Sequence, residues 1–117
     1  MNSIQNRLIR LLQNMDANNP TQNWGQFFNG DSIHWSNVIL SGHSQGGGHA
    51  AVMAIDRPVN RVIMFASPND YSVNFSQVAS WTNLPYVTQE EAYFSFKNIN
   101  DLVQSTHGNM ERLRILE

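Results

Sequence analysis

The amino-acid sequence predicts an α/β fold built around a parallel sheet. Three short apolar runs, over residues 38–42, 61–66 and 92–97, are rich in β-branched and aromatic side chains, which is typical of buried strands. The segments between them are long enough for the crossovers that parallel strands require. Because 117 residues fit one domain, we expect one α/β domain over 1–117, with about three parallel strands and flanking helices.

The first predicted element is an amphipathic helix over the first fifteen residues. Its apolar residues recur at helical spacing: Ile4, Leu8, Leu11, Leu12 and Met15. Residues 16–37 are rich in asparagine and glycine but contain aromatic side chains, so they predict a connecting loop with one helical turn near 24–28. The strand at 38–42 comes next, and we expect both of its faces to be buried.

The second half of the chain alternates helices and strands in the same way. A helix is predicted over residues 44–55, after which the polar turn Asp56-Arg57-Pro58 interrupts the pattern. Residues 71–91 predict a long irregular crossover with a short helix over 76–81. A closing helix is predicted from about 105 to 116, where Met110, Leu113 and Leu116 recur at helical spacing.

Composition and charge exclude several classes of function. The formal net charge of -2 leaves no basic surface for nucleic acid and no polybasic patch for a membrane surface. No apolar run approaches the roughly 18 residues of a membrane span. The chain has no cysteine, which excludes disulfides and a thiolate zinc site but does not indicate a compartment. We expect neither a metal nor another cofactor.

The segment Gly42-His43-Ser44-Gln45-Gly46 matches G-x-S-x-G between a predicted strand and a predicted helix. This context is typical of a nucleophile elbow, in which a serine occupies a sharp, strained turn. A side chain at Gly42 or Gly46 is expected to collide across the turn. The helix start directs free N–H groups at the site, so the Gln45 N–H is expected to stabilise an oxyanion.

Other interpretations of this segment fit less well. A dinucleotide-binding G-x-G-x-x-G would have glycine in place of Ser44, and the P-loop ending G-K-[ST] is absent. A structural glycine-rich turn with an incidental serine is the remaining alternative. His43 and His49 do not form a zinc motif, because the sequence lacks H-E-x-x-H. Neither histidine is expected to act as the base for Ser44.

Candidate partners for Ser44 follow it in the sequence, in the usual order serine, acid, histidine. Asp101 and Asp70 each follow a predicted strand, at the edge where parallel sheets place their sites. Asp101 is favoured as the acid and Asp70 is the alternative, although either could be a turn carboxylate that accepts backbone hydrogen bonds. His107 is the only histidine after Asp101, and it serves either as the base or as a polar residue at the start of the last helix.

Three stretches together, W-x-x-V-I-L-S-G-H-S-Q-G-G-G-H-A-A, R-V-I-M-F-A-S-P-N-D and F-K-N-I-N-D, resemble the α/β-hydrolase superfamily. More specifically, the sequence resembles bacterial lipase- or esterase-like members with a G-H-S-Q-G-G-G-H elbow. The resemblance extends from about Trp24 to Asp101. It implies Ser44 as nucleophile, the Gln45 N–H as oxyanion donor and Asp101 as acid. Members have several strands before the elbow and a catalytic histidine after a further strand, so we expect this chain to be a piece of a larger hydrolase.

These observations predict a serine hydrolase that cleaves small-molecule or lipid carboxylic esters through an acyl-enzyme on Ser44. The isolated chain is expected to be inactive, since the base and one oxyanion donor are not evident. Two alternatives remain: a non-catalytic, truncated hydrolase-fold module, and an acyltransferase or thioesterase with the same elbow. The partial sheet also predicts a homo-oligomer or pairing with the rest of the domain.

Overall fold

The computed structural model describes residues 3–72, 74–98 and 100, together with the backbone of residues 114–116. The chain divides into two compact units, Met1–Val38 and Ile39–Glu117, which are described separately. The first unit consists of one long helix and short irregular segments. The second unit contains the parallel sheet.

The first unit begins with helix α1, Ile4–Asn18. The hydroxyl group of Ser3 caps it by accepting a hydrogen bond of 3.2 Å from the Asn6 N–H, which satisfies one of the unpaired donors at the helix start. Ile9 and Leu12 are buried, while the side chains between them are largely exposed. The predicted amphipathic helix is therefore confirmed, and it extends three residues further than the sequence pattern indicated.

The rest of the first unit is a loop with short regular pieces. Turns of 3₁₀ helix span Pro20–Gln22, Trp24–Phe27 and Trp35–Asn37, and the strands β1, Phe28–Asn29, and β2, Ser32–Ile33, form a small antiparallel pair. The Asp16 carboxylate accepts a hydrogen bond of 2.8 Å from the Gly25 N–H and so ties the second of these turns to α1. The helical turn predicted near residues 24–28 is confirmed.

The second unit contains the predicted parallel sheet. Its strands β3, Ile39–His43, β4, Arg61–Phe65, and β7, Tyr93–Phe96, pair in parallel in that order. These bounds differ by one residue at most from the predicted strands at 38–42, 61–66 and 92–97. Helix α2, Gln45–Met53, connects β3 to β4, as expected for a right-handed crossover. A mixed α/β architecture with a parallel sheet is therefore established.

The closing helix predicted from 105 to 116 is wrong at its end. Residues Arg114–Leu116 form strand β8, which pairs in parallel with β7. A sheet edge presents unpaired backbone groups, and pairing with them outweighs the weak helical spacing of three apolar residues. The earlier part of the predicted helix, at 105–113, lies outside the described residues.

The crossover from β4 to β7 is irregular, as predicted, but its local structure differs. Strands β5, Tyr71–Ser72, and β6, Gln77–Val78, form an antiparallel hairpin, and turns of 3₁₀ helix span Ser80–Asn83 and Glu90–Ala92. The short helix predicted over 76–81 is therefore wrong. The reason is that the Ala79 N–H donates a 2.7 Å hydrogen bond to the Asp70 carbonyl group, across the hairpin rather than along a helix.

One face of the sheet is covered by the crossovers. Since β3, β4 and β7 follow one another in the same direction, the right-handed connections between them lie on the same face. Two contacts agree with this: the Val87 N–H bonds to the Ile55 carbonyl at the end of α2, and the Tyr86 ring packs 5.4 Å from Tyr93. The residues of β4 and β7 that point towards this face are fully buried, namely Val62, Met64, Tyr93 and Ser95.

The opposite face of the sheet carries several apolar side chains that are partly exposed. Ile39 is 55% exposed, Phe65 44% and Phe96 42%, and the last two rings stack at 5.4 Å. The expectation that the strand at 38–42 is buried on both faces is therefore wrong. Its residues alternate between exposed and half-buried, because β3 lies at one edge of the sheet and the connections of the described residues pack on the other face.

Candidate active site

The turn between β3 and α2 consists of a single residue, Ser44. Its backbone angles are φ 54° and ψ -124°, in the positive-φ region that residues other than glycine adopt at a cost. The side chain is exposed, and among the described residues its hydroxyl group makes no hydrogen bond. The structure therefore holds a serine in strained geometry at the carboxyl end of a parallel strand, where such sheets bind ligands.

Close backbone approach explains the glycine at position 42. A Cβ atom at Gly42 would overlap the backbone carbonyl group of Gly46 and lie 2.6 Å from the Gly47 nitrogen. The expectation for Gly46 is wrong, because a Cβ atom there would meet nothing within 4 Å. The backbone of Gly46 therefore lies against Gly42, whereas a side chain at Gly46 would face open space.

Two further glycines of α2 make close contacts that the sequence interpretation missed. A Cβ atom at Gly47 would lie 2.5 Å from Cβ of Ser67, and one at Gly48 would lie 2.6 Å from Oδ2 of Asp70. Both partners belong to the loop after β4. The signal in the sequence was the run of three glycines inside a predicted helix, since glycine in a helix interior destabilises it unless close packing requires it.

The first turn of α2 presents a backbone donor next to the serine. The Gly47 and Gly48 N–H groups bond to the Ser44 carbonyl oxygen at 3.0 and 3.4 Å. Among the described residues, the N–H of Gln45 donates to no acceptor, as is usual at a helix start. The position of this N–H fits the expected oxyanion donor, and the positive end of the helix dipole adds to its effect.

The loop after β4 is fixed in place by several hydrogen bonds. The Ala66 N–H donates to the Phe96 carbonyl oxygen at 2.8 Å, although Ala66 has a φ of 48°. The Asn69 side-chain amide donates to the Ala66 carbonyl at 3.0 Å, and the Ser95 hydroxyl donates to the Ser67 carbonyl at 2.5 Å. These bonds fix the shape of the loop and attach it to β7.

Asp70 lies at the end of this loop, beside the first turns of α2. Its side chain is half-buried, and burial raises the pKa of its carboxyl group above the ordinary value of 3.8, while the charge of His49 lowers that pKa in part. The alternative acid thus lies against Gly48 of α2. The favoured acid Asp101 and the candidate base His107 lie outside the described residues.

The structure brings together some of the predicted residues and leaves the base unassigned. Ser44 and the Gln45 N–H lie at the start of α2, and the Asp70 carboxylate lies against Gly48 of the same helix. His43 and His49 are exposed, and no histidine of the described residues is hydrogen-bonded to Ser44. Within residues 3–72, 74–98 and 100, no three histidine or acidic side chains are grouped to hold a metal ion.

The described residues thus define a small α/β unit with a parallel sheet and an exposed serine at a strand-to-helix turn. A scan of protein-family models finds no matching family, and searches of curated proteins and of solved structures find no similar protein. In the part of the chain that the structure describes, no helix has the length and apolar character needed to cross a membrane.

Proposed function

We propose that this protein is a serine hydrolase that cleaves carboxylic esters, with a partial α/β-hydrolase fold. The observation that carries the proposal is the backbone of Ser44, whose positive φ lies in a one-residue turn between a parallel strand and a helix. A residue with a side chain in such a position destabilises the fold, which makes a functional role a better explanation than chance. The resemblance of the G-H-S-Q-G-G-G-H segment to hydrolase elbows supports the same proposal.

In the proposed reaction, Oγ of Ser44 attacks the acyl carbonyl carbon while a histidine accepts the hydroxyl proton. The oxyanion that forms accepts a hydrogen bond from the Gln45 N–H. The proton then passes to the alcohol oxygen as the bond from acyl carbon to alcohol oxygen breaks, which leaves an acyl-enzyme. Water attacks the acyl-enzyme in the same way and releases the carboxylic acid. His107 is the proposed base, and Asp101 is the proposed acid that orients it.

We expect little or no turnover from the 117-residue chain by itself. The described residues offer one oxyanion donor and no histidine in contact with the serine. Removal of a single oxyanion donor reduces turnover by about 10² to 10³ in well-studied hydrolases. A test based on covalent labelling is therefore more sensitive than a test based on turnover.

The test is prolonged incubation of the chain with a fluorophosphonate, followed by mass spectrometry of its peptides. We expect one adduct, on the peptide that contains Ser44, and no adduct for Ser44→Ala. Ser41→Ala is the matched control, because Ser41 is also an exposed serine of the same segment but lies within β3. Equal labelling of the Ser44→Ala variant would contradict the proposal.

A second candidate function is a non-catalytic binding or assembly module. It is favoured by the position of β3 at the edge of the described sheet and by the partly exposed rings of Phe65 and Phe96. This candidate predicts that Ser44 is not labelled and that the chain associates with itself or with another polypeptide. If Ser44 is labelled, product analysis with added alcohols or thiols will distinguish hydrolysis from acyl transfer.

A further inference from the structure

The proposed oxyanion donor lies at the start of a helix that is intrinsically weak there. Residues 46–48 of α2 are three consecutive glycines, and glycine makes a helix less stable than alanine does because its backbone loses more freedom on folding. The Gln45 N–H comes directly before this run. Its position therefore depends on what packs against the glycines, and not on the helix alone.

The loop after β4 packs against two of these glycines. A Cβ atom at Gly47 would lie 2.5 Å from Cβ and 2.6 Å from Oγ of Ser67, and one at Gly48 would lie 2.6 Å from Oδ2 of Asp70. Non-bonded carbon atoms prefer separations of about 3.5 to 4.0 Å, so a methyl group at Gly47 would displace the helix or the loop by about 1 Å. The helix backbone and the loop are therefore in direct contact.

Ser67 is attached to the sheet by the bonds of its own segment. The residue is fully buried, and its carbonyl oxygen accepts a hydrogen bond from the Ser95 hydroxyl group of β7. The N–H of the preceding residue, Ala66, donates to the Phe96 carbonyl oxygen at 2.8 Å. The loop thus presents to Gly47 a side chain that the sheet holds in place.

The hydroxyl group of Ser67 adds nothing to the hydrogen bonding of the described residues. Its Oγ is buried without a hydrogen-bond partner there. A buried hydroxyl group that loses water without gaining a partner lowers stability. The close contact with Gly47 gives this side chain a role that does not depend on hydrogen bonding.

Gly47 connects this contact to the oxyanion donor. Its N–H bonds to the Ser44 carbonyl oxygen at 3.0 Å, and the Gln45 N–H belongs to the same helical turn. A shift of Gly47 would therefore move the Gln45 N–H relative to Oγ of Ser44. Misplacement of reacting groups by about 1 Å can reduce a rate by about 10²-fold.

We propose that Ser67 is a positioning residue, whose contact with Gly47 sets the position of the Gln45 N–H. The inference rests on the proposed function, in which this N–H stabilises the oxyanion. It adds the loop after β4 to the parts of the protein that determine the reactivity at Ser44.

The test replaces Ser44 by cysteine, which gives the full chain a single thiol because the sequence contains no cysteine. p-Nitrophenyl acetate acylates the thiolate: the sulfur–acyl bond forms through an oxyanion, and p-nitrophenolate leaves. Iodoacetamide alkylates the same thiolate by displacement of iodide, without an oxyanion. Both reactions need the thiolate, so the ratio of the acylation rate to the alkylation rate reports on the oxyanion donor. Absorbance of p-nitrophenolate and intact-protein mass spectrometry measure the two rates.

Ser41→Cys supplies the reference ratio, because Ser41 is an exposed residue of β3. We expect the ratio to be about tenfold or more higher for Ser44→Cys, since a helix N–H adjoins that thiol. Equal ratios would show that the Gln45 N–H stabilises no oxyanion, which would overturn both the proposed reaction and this inference.

Two substitutions in the Ser44→Cys chain then alter the contact from opposite sides. Gly47→Ala should lower the ratio by about tenfold or more, because the new methyl group displaces the first turn. Ser67→Gly should lower it by about threefold or more, because the turn loses its support. The double variant should return the ratio close to that of Ser44→Cys, since the methyl group at Gly47 then occupies the space that Ser67 leaves.

Val62→Ala is the control for a general loss of stability. It removes buried apolar atoms from β4 and should leave the ratio unchanged. Unchanged ratios in both single variants would overturn the positioning role, and so would a double variant whose loss is the product of the two single losses. If Gly47→Ala does not fold, an unchanged ratio in Ser67→Gly, or a double variant with a lower ratio than Ser67→Gly, would overturn it.

The outcomes for the contact and for the hydrolase are distinguishable. A raised ratio in Ser44→Cys that does not respond to Gly47 and Ser67 would overturn the positioning role and leave the proposed reaction intact. A ratio that responds as expected, without fluorophosphonate labelling of Ser44 in the original chain, would support the positioning role and contradict the hydrolase proposal.

Discussion

The backbone N–H of Ser44 donates a hydrogen bond of 2.8 Å to the carbonyl oxygen of Phe65. This bond continues the pairing of β3 with β4 one residue beyond the end of β3. Because it fixes the Ser44 peptide to the neighbouring strand, it helps to hold the serine at a φ of 54°. The sheet therefore supports the conformation that exposes the hydroxyl group. The free energy that offsets the backbone strain at Ser44 comes from backbone pairing rather than from the side chain.

The strain at Ser44 predicts an unusual effect of glycine. Ser44→Gly removes the steric conflict of a Cβ atom at positive φ, whereas Ser44→Ala retains it. We expect Ser44→Gly to have a free energy of unfolding about 1 kcal/mol higher than Ser44→Ala, which is less than the full strain because glycine also gains freedom in the unfolded chain. Urea denaturation followed by circular dichroism measures the difference.

A matched pair of substitutions at Ser41 provides the control for this prediction. Ser41 lies within β3, where glycine weakens a strand. We therefore expect the opposite order, with Ser41→Gly less stable than Ser41→Ala. If Ser44→Gly were also less stable than Ser44→Ala, the backbone at Ser44 would not be strained.

The glycines at the start of α2 are expected to differ in their tolerance of alanine. Gly42→Ala places a methyl group into the backbone of Gly46, which cannot move without disrupting the turn, and we expect a loss of about 3 kcal/mol or more in the free energy of unfolding. Gly46→Ala meets open space and should be neutral or stabilising by up to about 1 kcal/mol. Thermal and urea denaturation of the two variants checks both values. Equal losses at the two positions would show that the turn is not packed as described.

Much of the sheet could be predicted from the sequence because its signals are local. The runs that form β3 and β4 are short, apolar and bounded by turn residues, so their ends were predicted to within one residue. The turn at Ser44 follows from G-x-S-x-G placed between such a run and a helix. The sequence also indicated the start of α2, since the helix begins at the residue after the serine.

Features that depend on long-range contacts could not be predicted in the same way. The spacing of Leu113 and Leu116 indicated a helix, but pairing with β7 makes residues Arg114–Leu116 a strand. The contact of Gly47 with Ser67 joins segments far apart in the sequence, so a glycine there has no local explanation. An apolar run likewise does not reveal whether both sides of its strand are covered, as Phe65 shows.

The exposed apolar face of the sheet should bind a hydrophobic dye. Phe65 and Phe96 stack side by side on this face, which offers a continuous apolar surface. We expect the protein to enhance the fluorescence of 8-anilinonaphthalene-1-sulfonate, and the double variant with Phe65→Ser and Phe96→Ser to lose most of that signal. Phe75→Ser is the control, because Phe75 is more exposed but lies outside the parallel sheet. An equal loss for Phe75→Ser would show that the dye does not bind to the sheet face.

Asp70 should make the stability of the protein depend on pH. Burial raises the pKa of its carboxyl group above 3.8 in the folded chain, with partial opposition from the charge of His49. The folded chain therefore binds this proton more tightly than the unfolded chain does. The resulting stabilisation is fully present below the unfolded pKa of 3.8 and is lost as the pH rises through the higher folded pKa.

Replacement of Asp70 by asparagine removes this titration. We expect the free energies of unfolding of Asp70→Asn and the wild type to differ least at about pH 3. As the pH rises, the variant should become more stable relative to the wild type, until the pH passes the pKa of Asp70 in the folded chain. Urea denaturation at a series of pH values measures this difference in the free energy of unfolding. His49→Gln should enlarge the change, because the positive charge that lowers the Asp70 pKa is removed. Glu91→Gln, an exposed acid, controls for the loss of one negative charge, and a difference that falls as the pH rises would contradict the assigned burial of Asp70.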